Sequence, residues 1–238
     1  MSTPDVHTVL VCLPDTAEPR HTDRDATVQA ATTHLAMRGI IADGVMPHFT
    51  PRPTGGLRRM LRSRQLIDMW QATAAGGPIR LLDLAGMRLR AQAQAATQWL
   101  IWHQTVAGTR TAQPFWAFAH RHLDDPKGYP LSTAQQQYLT QPRVQAMTAF
   151  NAIPDRPCDL PTECLEAFQT GQNTFATLAW LTAVPADGLA TTSMSAHGGW
   201  LTPATGRLDD QLAYLRDANA YLERLPGDTT VVAMATTT

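Results

Sequence analysis

The residues best suited to bind an anion lie between Pro51 and Arg64, where the chain reads PRPTGGLRRMLRSR. The arginines of this segment, which lie on both sides of a glycine pair, are Arg52, Arg58, Arg59, Arg62 and Arg64. A glycine turn that opens a helix can present backbone N–H groups to an anion, and guanidinium groups add charge-assisted hydrogen bonds to phosphate or carboxylate. We therefore predict a ligand-binding site made of Gly55, Gly56, Arg58, Arg59 and Arg62.

This arginine segment also has two simpler interpretations. It can be a solvated helix face beside an ordinary loop. Its composition can also reflect the chain as a whole, because Lys127 is the only lysine and arginine carries nearly all of the positive charge. The sequence leaves open whether the arginine preference is functional or compositional. Neither GxxxxGK[ST] nor GxGxxG occurs, so neither a P-loop nor a Rossmann fingerprint is predicted.

Three polar residues near the ends of predicted strands are candidates for proton transfer. Asp15 follows the first predicted strand, His48 follows the second, and Asp83 lies near the end of the third. A carboxylate or an imidazole at such a position can act as a general base or bind a sugar hydroxyl. Each can equally be a structural hydrogen-bonding group, and the sequence does not decide whether the protein is an enzyme.

Metal and disulfide chemistry find little support in the sequence. The cysteines Cys12, Cys158 and Cys164 form no CxxC pair, which argues against both a disulfide framework and a zinc ribbon. His120 and His122 are two residues apart, so on a helix they point in different directions. We predict no metal site, and no cofactor can be named.

The first fifty residues predict a strand–helix–strand unit. A β-branched, apolar strand is expected at Val6–Leu13, a helix at Ala26–Arg38 and a second strand at Ile40–Met46. Such a unit is typical of a parallel crossover. In a parallel sheet the loops after the strands line the ligand crevice, so Asp15 and the arginine segment are expected at one sheet edge.

The rest of the chain predicts further helices and strands. They are a helix continuing from Leu57 through Trp70, a strand at Ile79–Leu84, helices at Met87–Val106 and Arg207–Leu225, and strands at Leu189–Ser195 and Thr229–Thr236. Between Gly108 and Val184 only helices and turns are expected. The predicted fold is a single α/β domain over residues 1–238, with a mostly parallel central sheet flanked by helices and an all-helical insertion or cap at 108–184.

Composition limits the partners. A formal net charge of -1 and a pI of about 6.7 provide no overall basic field, which argues against nucleic acid as the main partner. The N-terminus lacks the pattern of a signal peptide, and no apolar run approaches the roughly 18 residues of a membrane span. We predict a soluble, cytoplasmic protein that does not associate with membranes.

The sequence favours an α/β protein that binds a small anionic or phosphorylated, nucleotide-like ligand and that could act on it as an enzyme. One alternative is a non-enzymatic interaction protein or a subunit of a larger assembly, with a protein partner. It is favoured by the absence of an intact catalytic motif and by the polar run from Gln135 to Tyr138. A further alternative is local nucleic-acid binding through the arginine helix.

Overall fold

The fold was analysed in a computed structural model, which describes residues 6–13, 24–53, 64–193, 199–205 and 207–237. The strands are β1 (Val6–Leu13), β2 (Ala42–Val45), β3 (Ile67–Trp70), β4 (Thr73–Pro78), β5 (Gly188–Ala190), β6 (Trp200–Leu201) and β7 (Thr230–Thr237). The α-helices are α1 (Arg24–Ala36), α2 (Leu84–Thr105), α3 (Phe115–Asp124), α4 (Leu131–Leu139), α5 (Pro142–Asn151), α6 (Leu165–Gln169), α7 (Gln172–Thr182) and α8 (Leu208–Arg224). Short 3₁₀ helices cover Ile79–Leu81 and Thr162–Cys164.

Strand β7 organises the sheet. Its eight residues pair antiparallel with all of β1, from Val6 opposite Thr237 to Leu13 opposite Thr230. Its other edge is shared, because β4 pairs with residues 230–232 and β2 pairs with residues 234–236. Among the described strands the order is β3-β4-β7-β1-β5-β6, with β2 attached to β7. The β-branched residues of β1 and β7 suit this buried, fully paired position.

The prediction of a mostly parallel sheet is wrong. The described sheet is mostly antiparallel, and its one parallel pair joins β1 to β5, with Val9 opposite Gly188. The strand–helix–strand pattern of β1, α1 and β2 is present, but β2 pairs with β7 rather than continuing a parallel sheet. Hydrophobic patterns identify buried strands but do not specify their partners, and here the C-terminal strand takes the place beside β1.

The segment after the arginines also differs from expectation. Ile67–Trp70, predicted as the end of a helix, is a strand that forms a hairpin with β4. Strand β4 was not predicted because its sequence is TAAGGP. A Cβ at Gly76 would collide with the Val231 carbonyl, so glycine permits the close approach of β7. The strand predicted at Ile79–Leu84 is wrong as well, since Ile79–Leu81 is a 3₁₀ helix.

Other elements are confirmed. Strand β1 has the predicted bounds, and α1, α2, α8 and β7 agree with their predictions to within a few residues. Residues 108–184 contain helices and turns and no strand, all of them lying in the described chain. Within this region α6 and α7 are separated at Gly171, which adopts a φ of 100°.

The chain divides into two compact units, residues 1–89 with 181–238 and residues 90–180. We call them the β-rich unit and the helical unit. The core of the β-rich unit packs α1 on the sheet and includes Val11, Leu35, Val232 and Met234. The core of the helical unit includes Val144, Met147, Leu160, Leu165 and Phe168. The single-domain organisation and the insertion bounds stay predictions.

None of the helices in the described ranges combines the length and the hydropathy that crossing a bilayer requires.

Candidate functional site

The whole of the predicted anion site, Gly55, Gly56, Arg58, Arg59 and Arg62, lies outside the described residues, and so does Asp15. Arg52 is described, and its Nε donates a hydrogen bond to the Leu82 carbonyl at 3.0 Å. A ligand crevice at the ends of parallel strands is not supported either, because the described sheet is mostly antiparallel. Anion binding by the arginine segment stays a prediction.

Asp83 caps a helix. Its Oδ1 accepts a hydrogen bond from the Gly86 N–H at 3.1 Å, at the first turn of α2. This is the contact that an N-cap carboxylate makes with an otherwise unpaired helix N–H. The backbone N–H of Asp83 donates to the Thr50 carbonyl at 2.7 Å, which joins α2 to the segment that follows His48. The contacts explain Asp83 as a structural residue, and its catalytic role stays a prediction.

His48 is held by the backbone. Its Nε2 donates to the Val184 carbonyl at 2.8 Å. Burial lowers the pKa of His48, although the Val184 carbonyl and the Asp187 carboxylate act in the opposite direction. Asp187 also accepts a hydrogen bond from the Thr8 N–H at 2.8 Å and lies 3.7 Å from His7 Nδ1. These neighbours were not foreseen, and a catalytic role for His48 stays a prediction.

A different region, in the helical unit, has the form of a binding site. It contains a pocket of about 300 Å³, at the small end of the range for ligand pockets. Aromatic and polar side chains share the lining, among them Trp99, Trp102, His103, Arg143, Phe168 and Gln169. A pocket with apolar walls and a few convergent polar groups is the usual form of a small-molecule site.

Helix α2 supplies the aromatic wall. Trp99, Trp102 and His103 are three and four residues apart, so they lie on the same face of this helix. The rings of Trp99 and His103 stack with centroids 4.9 Å apart and an interplanar angle of 20°. Trp102 stacks on Phe168 at 5.3 Å and 10°. The Trp99 indole N–H donates to the Phe168 carbonyl at 2.9 Å, which fixes the wall in place.

Arg143, near the start of α5, is the cation of this pocket. Its guanidinium lies over the Trp102 ring at 5.5 Å from the centroid, within the range of a cation–π contact. Nε donates to Thr109 Oγ1 at 3.1 Å and Nη2 to the Thr109 carbonyl at 3.1 Å. Nη1 donates to Gln169 Oε1 at 2.8 Å. A guanidinium has five N–H donors, so two remain without an acceptor in the described chain.

The partners of Arg143 are themselves fixed. The Gln169 side chain accepts from the Ala112 N–H and donates to the Ala112 carbonyl, both at 2.9 Å. Thr109 Oγ1 donates to the Val106 carbonyl at 2.6 Å, in the turn that leaves α2 through Gly108. Gly108 has a φ of 76°, a conformation that glycine adopts without steric cost. The guanidinium is therefore oriented before any ligand arrives.

The surroundings of Arg143 leave its charge uncompensated. Within the described ranges, no carboxylate lies at ion-pair distance from it. Burial lowers the pKa of Arg143, yet an arginine side chain keeps its proton at neutral pH. The indole N–H of Trp102, buried nearby, also has no acceptor among the described residues. The positive charge of Arg143 and its two remaining N–H donors are groups that can bind an anion.

The sequence contains one signal for Arg143, its position as a single charge in a helix. Arg143 is the one charged residue in α5, whose sequence is PRVQAMTAFN. A lone charge in a short, half-apolar helix is a candidate for a buried role. Its contacts with Thr109 and Gln169 depend on tertiary packing, so spacing along the chain could not reveal them. The spacing of Trp99, Trp102 and His103 indicates an aromatic face on α2, and such a face usually packs in a core.

No group of three or more histidine, cysteine, aspartate or glutamate side chains with a metal-binding arrangement is found in the part of the chain that the structure describes.

Comparison of the chain with protein-family models, with curated proteins and with solved structures gives no match.

Proposed function

We propose that this protein binds a small anionic ligand and that Arg143 recognises the negative charge of that ligand. The observation that carries the proposal is the uncompensated guanidinium in the lining of a pocket of about 300 Å³. Arg143 is half-buried, and a charge that is partly withdrawn from water without a counter-ion has a cost that an anion in the pocket would offset. The two N–H donors left on Arg143 would bind the oxygens of a carboxylate or phosphate.

Preorganisation supports binding rather than a purely structural role. Thr109 and Gln169 hold the guanidinium through three hydrogen bonds to uncharged acceptors. A ligand therefore would not have to order this side chain, and its affinity would be reduced less by lost side-chain entropy. The contacts described at this pocket do not identify a residue that would carry out a reaction on the ligand. We therefore propose binding alone.

The test is isothermal titration calorimetry at pH 7.5 with acetate, benzoate, inorganic phosphate and AMP. We expect one or more of these anions to bind, and Arg143→Met to weaken that binding by at least about tenfold, the effect of losing a hydrogen bond to a charged group. Arg121→Met is the matched control. Arg121 is also placed over an aromatic ring, that of Phe118 at 5.8 Å, but is exposed and does not line the pocket.

Two results would contradict the proposal. The first is a chain that binds none of the four anions. The second is binding that Arg143→Met leaves unchanged. If Arg58→Met and Arg62→Met together abolish that retained binding, the anion site is the arginine segment predicted from the sequence.

A further inference from the structure

The aromatic side chains that line the Arg143 pocket favour a flat ligand. Trp99, Trp102, His103 and Phe168 are four ring-bearing residues of its lining. Trp99 is half-buried and His103 is exposed, and because their rings stack on each other, only the outer face of each ring is left for a ligand. Aromatic rings prefer offset stacking or edge-to-face contact with other rings. A flat, unsaturated ligand would therefore gain more from this wall than a puckered one of similar size.

The charged residues in the lining favour a ligand with a single negative charge. Arg143 is its one permanent cation, and His103 is the one other lining residue that can become positive. A carboxylate carries one negative charge and matches the fork of a guanidinium. A phosphate monoester carries about -1.5 to -2 charges at neutral pH, more than Arg143 alone can compensate. The lining thus fits a monoanion better than a dianion.

From these two features we propose that the ligand is a planar aromatic monocarboxylate, with its ring against an outer face of the Trp99–His103 stack and its carboxylate on Arg143. The inference rests on the proposed function and specifies its ligand. The pocket volume of about 300 Å³ suits a compound of one or two rings.

The experiment compares four probes on the full chain by calorimetry at pH 7.5. Benzoate is the reference. Cyclohexanecarboxylate keeps the charge and loses the planar ring, benzamide keeps the ring and loses the charge, and phenyl phosphate keeps the ring with a larger charge. We expect benzoate to bind at least about fivefold tighter than cyclohexanecarboxylate, from the loss of stacking. We expect a margin of at least about tenfold over benzamide, and weaker binding of phenyl phosphate than of benzoate.

Two variants assign these preferences to residues. Arg143→Met should remove the preference for benzoate over benzamide. His103→Ala should weaken benzoate binding by about threefold without changing the affinity for cyclohexanecarboxylate, and His103→Phe should restore it. His103 is exposed, so neither substitution at this position is expected to disturb folding.

The outcomes separate this inference from the proposed function. If phosphate or AMP binds through Arg143 and benzoate does not, anion binding stands and the aromatic carboxylate is excluded. Equal affinities for benzoate and cyclohexanecarboxylate would exclude a planar ring as the recognised shape. Phenyl phosphate that binds as tightly as benzoate or more tightly would exclude the monoanion.

Discussion

Arg88 in the β-rich unit is buried and Arg143 in the helical unit is half-buried, and their partners differ. Arg88 is 7% exposed, and it pairs with Glu223 at 3.0 Å and donates to Asn219 Oδ1 at 2.6 Å. Arg143 donates only to uncharged acceptors on Thr109 and Gln169. Arg88 has a counter-ion within the fold, whereas Arg143 lines a pocket and has none in the described chain.

The difference indicates two roles for an arginine that is shielded from solvent, stabilisation of the fold and ligand binding. Asn219 donates to the Leu181 and Leu215 carbonyls while it accepts from Arg88, so the arginine is one part of a buried polar network. Removing one member of such a network leaves the others unpaired. The hydrogen bonds of Arg143 orient the side chain without neutralising it. The comparison therefore predicts that Arg88 matters for stability and Arg143 for binding.

The largest expected effect on stability is that of Arg88→Met. The substitution removes the donor to Asn219 Oδ1, and an unsatisfied buried acceptor costs about 1 to 3 kcal/mol. Glu223 is 57% exposed and would return to water, so its loss adds little. Urea unfolding should show a free energy of unfolding lower by about 2 kcal/mol. Arg216→Met, an exposed position on α8, is the control. Equal stability of the two variants would contradict the structural role of Arg88.

Acidification tests two histidines whose surroundings favour the neutral form. Burial lowers the pKa of both His34 and His48, and the Arg38 guanidinium lowers that of His34 further. As the pH falls below about 6.5, the unfolded chain therefore takes up protons before the folded chain does. The free energy of unfolding should decrease from pH 7.5 to 5.5, by at most about 1.4 kcal/mol per pH unit for each histidine.

His48→Gln should reduce this pH dependence, and His120→Gln, at an exposed position, should not. The window from pH 7.5 to 5.5 lies above the range in which ordinary carboxylates take up protons. A free energy of unfolding that rises on acidification, measured by urea titration at each pH, would contradict the assignment of these histidines as neutral.

The smallest expected effect on stability is that of Arg143→Met. The substitution removes three hydrogen bonds but also an uncompensated charge. These contributions oppose each other, so we expect a change within about 1 kcal/mol. Urea unfolding of Arg143→Met beside Arg121→Met measures it. A loss as large as that of Arg88→Met would mean that Arg143 is a structural residue like Arg88.

Local patterns predicted much of the secondary structure. The β-branched run of β1 and the leucine periodicity of α8 gave bounds close to the observed ones. The direction of the sheet could not be read, because β7 enters beside β1 from the far end of the chain. Strand β4 was missed because its glycines serve the close approach of β7 and carry no hydrophobic signal.

The pocket could be predicted only in part. The spacing of Trp99, Trp102 and His103 gave the aromatic face of α2, but aromatic faces usually pack in cores. The significance of Arg143 depends on what surrounds it, since the absence of a counter-ion is a property of the folded helical unit. Charge density along the chain favours the arginine segment as a binding site. A single arginine among uncharged neighbours, such as Arg143, gives a much weaker signal.

The most direct test of the central claim is the NMR signal of the Arg143 Nε–H group during a benzoate titration. Its resonance is assigned from the peak that disappears in Arg143→Met, with the Arg121 Nε–H as internal reference. Anion binding at the pocket predicts a saturable shift of the Arg143 resonance, with a midpoint equal to the calorimetric Kd, while the Arg121 resonance stays unchanged. An Arg143 resonance that does not move at saturating benzoate would contradict the claim.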